Sequence, residues 1–428
     1  MSLRKKEYRD RIIDEIVKSK LESFGALCIE GPKWCGKTWT ALNHSNSVIF
    51  IGDSQNNFQN RMLAEVDPSI TLEGINPRLI DEWQEVPSLW DAVRFEVDKS
   101  RKKGQYILTG SSTPKSFGIL HSGTGRIDRI MMRPMSLYES GDSDGSVSLK
   151  MLFDNTLKTT KINPMSLSKL AYLATRGGWP GSLGMNEKQA SDIARSYLKS
   201  ILADDISKID GVKRDSKKVK ALIKSLARNV ATSVSNATLI KDIKEFEGDL
   251  IDPNTIASYL DILTRLFMID NQPAYDMNYR SSTRVAKSPK RHFIDPSLAV
   301  AALEMSPSML LKDLNLFGFI FESLVIRDLK IYAEANRGSV YHFRHHDTGD
   351  EIDAVIELDD GTWGAFEIKL GNNQVDKAAE NLLKIKMNLD HMNHKKSPTV
   401  LCVICGLGEY AYKRPDGVFV IPINSLKH

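Results

Sequence analysis

The stretch Gly31-Pro32-Lys33-Trp34-Cys35-Gly36-Lys37-Thr38 constrains this chain more than any other. Its spacing, G-x-x-x-x-G-K-[ST], is that of a loop whose backbone N–H groups wrap a phosphate. Spacing alone is a weak signal, so the neighbouring residues must carry the reading. Before the loop, Gly25-Ala26-Leu27-Cys28-Ile29-Glu30 is a short apolar run that predicts a buried strand. After it, Trp39-Thr40-Ala41-Leu42-Asn43 has no Gly or Pro and can open a helix. Gly31 and Gly36 let the backbone close on an anion without Cβ clashes. The helix N-terminus adds partial positive charge at the same place. Lys37 sets a point charge on the outer phosphates, and the Thr38 hydroxyl is a ligand for Mg²⁺. The candidate nucleotide contacts are therefore Gly31, Pro32, Lys33, Trp34, Cys35, Gly36, Lys37, Thr38 and Trp39.

A chain of 428 residues is long for one domain, and roughly two to four are expected. With 41% hydrophobic and 26% charged residues it has the composition of a globular protein. No apolar run approaches the ~20 residues that cross a bilayer, and no signal-like apolar core follows Met1-Ser2-Leu3-Arg4-Lys5-Lys6-Glu7. The expectation is a cytoplasmic protein without a membrane partner. Cys402 and Cys405 form C-x-x-C inside the apolar run Val400–Cys405, and no second Cys or His pair accompanies them, so packing is the expected role. A net charge of +4 is too small to argue for nucleic acid by itself.

Residues 8–22 carry Ile12, Ile13, Ile16, Val17 and Leu21 at helical spacing. After the loop, Val48-Ile49-Phe50-Ile51 predicts a second strand, and Arg78-Leu79-Ile80-Asp81-Glu82 a third that ends in two acids. Open α/β sheets bind ligands beyond the carboxyl ends of their strands. There Asp81 is placed to hold Mg²⁺ and Glu82 to polarise the water that attacks a γ-phosphate. Tyr106-Ile107-Leu108-Thr109-Gly110-Ser111-Ser112 predicts a fourth strand, with Thr109 and Ser111 as candidates to sense phosphate loss; Ser111 or Ser112 equally suits a helix N-cap. Arg126 follows a Gly-Thr-Gly turn. It either stabilises charge on a neighbouring subunit's γ-phosphate or pairs with Asp128.

The P-loop, Leu79-Ile80-Asp81-Glu82-Trp83-Gln84, Leu108-Thr109-Gly110-Ser111-Ser112 and Arg133-Pro134-Met135-Ser136-Leu137-Tyr138-Glu139 together resemble prokaryotic AAA+-superfamily ATPases with a C-terminal DUF4143 domain. The resemblance runs the whole chain. It implies a parallel-sheet α/β core that binds ATP with Mg²⁺, assembly into a homo-oligomer, and nucleotide-site roles for Gly36, Lys37, Thr38, Asp81, Glu82 and Arg126.

Farther on, Arg176-Gly177-Gly178-Trp179-Pro180-Gly181 reads as a helix stop and sharp turn with Trp179 as packing anchor. Arg176 either contacts nucleotide from a helical lid or is a surface arginine. Three helical patterns between 216 and 265, then a hairpin from Phe267-Met268-Ile269 to His292-Phe293-Ile294, predict a winged helix. Its tip carries Arg280, Arg284, Lys287, Lys290 and Arg291 with no acid between Met277 and His292, a candidate DNA-contacting wing. The third helix offers Ser258, Asp261 and Arg265, a poor base-reading set.

The last ~120 residues read α-β-β-β-α-β. Glu367 and Lys369 lie two apart on a strand and share a face. Asp353 on the preceding strand and Glu322 on the helix can join them, forming a carboxylate set for Mg²⁺ with Lys369 positioned to act on water. This order resembles PD-(D/E)xK nucleases; an inactive relic of that fold carries the same residues. Gln374 is a candidate support, and His342, His345 and His346 are expected in solvent. The expected organisation is an AAA+ P-loop core over 1–145, a helical lid or linker over 146–215, a winged helix over 216–304 and a nuclease-like domain over 305–428. The readings that follow are an ATP-dependent DNA-associated protein, a nucleotide-controlled scaffold switch, or an ATP-licensed restriction-like nuclease.

Overall fold

In the computed structural model, described over residues 3–55, 58–113, 120–206, 214–247, 251–278, 280–282, 284, 287–345, 349–391 and 397–428, the expected apolar runs lie side by side. β1 (Ala26–Glu30), β2 (Ser47–Phe50), β3 (Arg78–Asp81), β4 (Tyr106–Gly110) and β5 (Ile127–Met131) form an all-parallel five-stranded sheet in the order β2-β3-β4-β1-β5. Period-two alternation divides each strand between two cores. Ala26 and Cys28 of β1 pack with Ile80, Leu108 and the α4 helix (Ser88–Ser100) through Trp90, Val93 and Val97. Leu27 and Ile29 face the other way, against Ile13 and Val17 of α1 (Ile13–Ser23) and Ala41 and Leu42 of α2 (Lys37–Asn43). Both sheet faces are covered, as a parallel sheet requires.

The next segment departs from expectation. Residues 146–165 do not belong to a helical lid. β6 (Val147–Ser148) pairs with β14 (Leu426–Lys427), and β7 (Thr160–Lys161) pairs with β12 (Tyr410–Lys413), so this stretch joins the C-terminal domain. A helical module follows: α7 (Leu167–Arg176), α8 (Glu187–Ser200), a π-helical turn (Ile201–Asp205), then α9 (Ser216–Arg228), α10 (Asn236–Glu247), α11 (Pro253–Arg265) and α12 (Pro296–Ala302). The expected hairpin is reduced to the antiparallel bridges Ile269↔Phe293 and Gln272↔Lys290, and Arg291 bridges instead to Thr232.

The C-terminal sheet has seven strands in the order β7-β12-β13-β11-β10-β9-β8, with β8 (Gly338–Arg344), β9 (Glu351–Leu358), β10 (Trp363–Lys369), β11 (Val400–Cys405) and β13 (Phe419–Pro422). One face packs on α14 (Leu314–Ala335), a helix apolar enough to be buried almost throughout. The other packs on α15 (Val375–His391) through Ala379, Leu382 and Ile385. Cys402 lies in the first core and Cys405 in the second, so these two buried thiols point to opposite faces of β11. Among the described residues no helix is long and apolar enough to cross a membrane.

Candidate functional site

The P-loop sits at the carboxyl end of β1, and its backbone explains its glycines. Gly31 has φ +153°, and a Cβ there would lie 2.2 Å from the Met132 carbonyl oxygen. Gly36, at φ 103°, is the left-handed residue that starts α2. Lys37 is the first residue of that helix, buried, with its Nζ donating to the Pro32 carbonyl at 2.8 Å. Thr38 Oγ1 donates to Asp81 Oδ1 at 2.8 Å, and Thr109 Oγ1 donates to the same oxygen at 2.6 Å. Thr109 in turn accepts the Glu82 N–H at 3.1 Å. The ends of β3 and β4 and the start of α2 are thus tied through one carboxylate. Burial pushes the Asp81 carboxyl above its ordinary value, against the pull of the Thr109 and Thr38 hydroxyls. Glu82 adopts the left-handed conformation (φ 59°, ψ 46°), a strain that side chains tolerate mainly at functional positions. Its carboxylate accepts from Ser111 Oγ at 3.0 Å and from the Gln84 amide.

The remaining loop residues face other elements. Lys33 pairs with Asp205 at 2.5 Å, and Trp34, half exposed, meets the Tyr197 ring edge-on at 5.5 Å. The Cys35 carbonyl accepts from Arg11 Nη1 at 2.9 Å. Trp39 lines the mouth of a cavity of about 1710 Å³ that opens over the loop, walled by Tyr8 and Arg9 on one side and Pro180, Gly181 and Leu183 on the other. The volume exceeds the few hundred to about a thousand Å³ of a typical small-molecule site.

Arg11 and Gln84 are contributors that the sequence pattern did not single out. Arg11 is buried and also binds Glu139 Oε1 at 2.9 Å and the Arg133 carbonyl at 2.9 Å, bracing the loop from behind. A lone arginine ahead of an amphipathic helix carries no motif, and only the Asp81-Glu82-Trp83-Gln84 adjacency pointed toward Gln84.

Arg126 does not reach its own P-loop. Ile127 pairs in parallel with Ala26, so Arg126 lies at the opposite edge of the sheet, about 16 Å away at a strand rise of ~3.3 Å per residue. Its partner is Asp98 at 2.6 Å; Asp128 instead pairs with Lys20. Arg176 is not a surface arginine. It is buried and binds Asp142 Oδ2 at 2.7 Å and Ser140 Oγ at 3.2 Å.

In the C-terminal domain Glu322 (α14), Asp353 (β9), Glu367 and Lys369 (β10) do converge. Lys369 Nζ lies 3.1 Å from Asp353 Oδ2 and 2.6 Å from Glu367 Oε2. Asp353 also accepts the Ile368 N–H at 2.9 Å, and Asn381 of α15 donates to Glu367 at 2.9 Å. Two more residues join: Lys290 Nζ lies 2.9 Å from Glu322 Oε1, 2.9 Å from Glu351 Oε1 and 3.6 Å from Asp353 Oδ1. Burial, then repulsion from Asp353, raises the Glu322 carboxyl to about 8 and the Glu367 carboxyl to about 7. Burial opposes ionisation of Asp353 as well, but Lys369 and Lys290 hold it below its ordinary value. The expected Mg²⁺ set of Glu322, Asp353 and Glu367 is therefore satisfied by two ammonium groups. With both ammonium groups seated against its oxygens, this cluster as it stands does not fit a metal centre. Gln374 is exposed and takes no part. His342, expected in solvent, is buried, and burial lowers its imidazole to about 4. His346 lies outside the described residues.

The basic wing is likewise redistributed. Lys290 is buried in the acidic cluster. Arg284 forks onto both Glu357 carboxylate oxygens at 3.1 and 3.2 Å. Lys287 donates to the Arg344 carbonyl at 2.7 Å, and half-buried Arg291 donates to Asn236 at 3.0 Å. Of the five, Arg280 alone is classed as exposed. Arg284, Lys287 and Lys290 thus dock the segment onto the C-terminal domain, and Arg291 ties it to α10.

Residues 23–141 match the family model described as an AAA domain, and residues 317–426 match DUF4143, a domain of unknown function. The chain therefore carries an AAA domain and, at its C-terminal end, a DUF4143 domain. Between them, residues 167–309 match a separate domain of unknown function, DUF8612, so the helical module is distinct from DUF4143. Uncharacterised proteins of Mycobacterium bovis and Mycobacterium tuberculosis are each 24% identical over 345 residues, 80% of this chain and 69% of theirs. Among solved structures, a Walker-type ATPase of Pyrococcus abyssi aligns with TM-score 0.43 and 14% identity over 70% of this chain and 97% of its own. The replication initiator DnaA bound to AMPPCP and single-stranded DNA aligns with TM-score 0.29 and 15% identity over 60% and 88%. The AAA match ends at Gly141, directly after the short helix Leu137–Ser140, and the DUF4143 match runs from within α14 to the start of β14.

Proposed function

We propose that the AAA domain hydrolyses ATP with Mg²⁺ and uses the cycle to shift its helical and DUF4143 modules. The carrying observation is Asp81 Oδ1, which accepts from both Thr38 and Thr109 beside Glu82. Thr38 Oγ1 and the Asp81 carboxylate are oxygen donors at the rim of the phosphate loop and suit a hard divalent cation. Mg²⁺ held by them would neutralise charge across the phosphates. Lys37, now on the Pro32 carbonyl, turns to the outer phosphates. Glu82 accepts a proton from the attacking water, with Gln84 and Ser111 holding its carboxylate in place. Thr109, bonded to both Asp81 and the Glu82 N–H, reports loss of the γ-phosphate.

Lys37→Ala is expected to abolish ATP binding, measured by calorimetry. Glu82→Gln is expected to keep binding and lose turnover by about 10²-fold or more. Turnover surviving in both variants would overturn the assignment. Arg126 serves this reaction only if it leaves Asp98 for a neighbouring subunit in a homo-oligomer; Arg126→Ala would then lose turnover while keeping ATP binding.

For the DUF4143 module, the seating of Lys290 among the acids favours a non-cutting role, in which ATP controls a binding or scaffold surface. DNA association through the wing loses most of its support, because four of its five basic residues are engaged within the chain. Metal-dependent plasmid nicking by the purified protein, abolished by Glu367→Ala with Lys369→Ala, would reverse this reading.

A further inference from the structure

Glu322, Asp353 and Glu367 arrive from α14, β9 and β10 and crowd into one buried corner, with part-exposed Glu351 of β9 at its rim. Three acids held together out of water need positive charge among them. Lys369 serves Asp353 and Glu367. The other side of the cluster is served by Lys290, whose ammonium has three protons and meets oxygens of three different carboxylates at 2.9, 2.9 and 3.6 Å.

Lys290 is not a stray surface lysine. Its backbone exchanges both hydrogen bonds with Gln272, at 3.0 Å each way. The Gln272 side-chain amide then donates to the Tyr341 carbonyl at 2.8 Å and to the Asp353 carbonyl at 2.9 Å. The residue that brings the charge is thus clamped to the strand that carries the acids. It also comes from a different unit, the one matching residues 167–309, while the acids lie within 317–426. All the surrounding oxygens are of the hard type that Mg²⁺ or Mn²⁺ selects.

We propose that Lys290 is a tethered counter-ion, supplied by the helical module, that takes the place of a divalent cation in the DUF4143 acidic cluster and excludes the metal while it is seated. The cluster becomes a divalent-cation site only when Lys290 is withdrawn or removed. The idea extends the non-cutting reading of this module, but its test uses no nucleotide and no nuclease assay, so the two stand or fall separately.

The test is Mn²⁺ binding to the nucleotide-free full chain, followed by paramagnetic resonance of the free ion, with thermal melting in parallel. In the wild type, Glu367→Gln should leave Mn²⁺ binding unchanged. Lys290→Ala should gain a site that binds Mn²⁺ about tenfold tighter or more than any in the wild type, and its melting temperature should rise with added Mn²⁺. Glu367→Gln in that background should remove the new site, and Lys290→Arg should not create it. Two results overturn the proposal: wild-type Mn²⁺ binding that Glu367→Gln abolishes, or a folded Lys290→Ala chain that gains no site. If Lys290→Ala folds neither with nor without Mn²⁺, the wild-type comparison decides alone, with unchanged binding counting for the proposal.

Discussion

Asp270 shows how one side chain holds three parts of the molecule. It pairs with Arg133, just past the AAA sheet, at 2.7 Å, and with Lys330 of α14 at 2.7 Å, while itself lying between α11 and α12 of the middle module. Burial pushes its carboxyl up, but Arg133 and Lys330 outweigh that and hold it well below the usual range. Asp270→Asn would leave both cations buried without their anion and should cost about 3–5 kcal/mol. The sign follows from linkage: a carboxyl depressed in the folded state adds stability above its unfolded value of about 4 and loses it as pH falls further. The gap in melting temperature between wild type and Asp270→Asn should be full at pH 7 and shrink below about pH 4; a gap independent of pH would assign it to packing. Legibility at this scale divides by sequence distance. The places of Lys37, Thr38, Asp81 and Glu82 at one edge of the sheet could be read because each follows its own strand or loop signal. Lys290 was misread as a DNA contact because no acid neighbours it in sequence; its partners Glu322, Glu351 and Asp353 come from later elements.

Among the elements, the turn after α7 is the most instructive. Gly177-Gly178-Trp179-Pro180 reads as a local stop, yet it meets Ile294-Asp295-Pro296-Ser297, more than a hundred positions on. Asp295 Oδ2 accepts the Gly178 N–H at 2.9 Å, and Ser297 Oγ accepts from Trp179 Nε1 at 2.9 Å. Trp179 stacks on Tyr197 with centroids 5.0 Å apart, and Tyr197 touches Trp34 of the P-loop. The anchor role of Trp179 was legible from its place in a helix stop, whereas its partners were not. A Cβ at Gly178 would lie 2.1 Å from the Met135 carbonyl oxygen, a backbone atom that cannot swing aside. Gly178→Ala should therefore destabilise by about 1–3 kcal/mol or more, seen as a lower denaturation midpoint. An unchanged midpoint would mean that the turn is free to shift.

At the level of the whole molecule, the parallel sheet and the succession α-β-β-β-α-β from α14 to β11 were legible because their strands are apolar runs bounded by turn residues, whereas the order of the seven C-terminal strands was not. The boundary at 146 was not, since two-residue strands such as Val147–Ser148 and Thr160–Lys161 leave no pattern. The C-terminal domain is consequently discontinuous, built from segments on both sides of the helical module. A fragment of residues 305–428 would lack β6, β7 and Lys290. It should show weak near-UV circular dichroism and bind a hydrophobic dye, whereas residues 143–428 should give a native-like spectrum; a well-packed short fragment would refute this. The same strand pairings set a timetable during synthesis. The AAA sheet is complete once Met131 has emerged, but Ser143 bonds a carbonyl at Leu426, 283 positions later. At ~5–20 residues per second the ribosome takes roughly 15–60 s to cover that distance. Through that interval the stubs at 147–161 wait unpaired beside a finished AAA core, while the helical module emerges between them and their partners. The nascent chain's exposure to chaperones and to mispairing should therefore be concentrated in that window, and slow-codon substitutions between 165 and 425 should lengthen it.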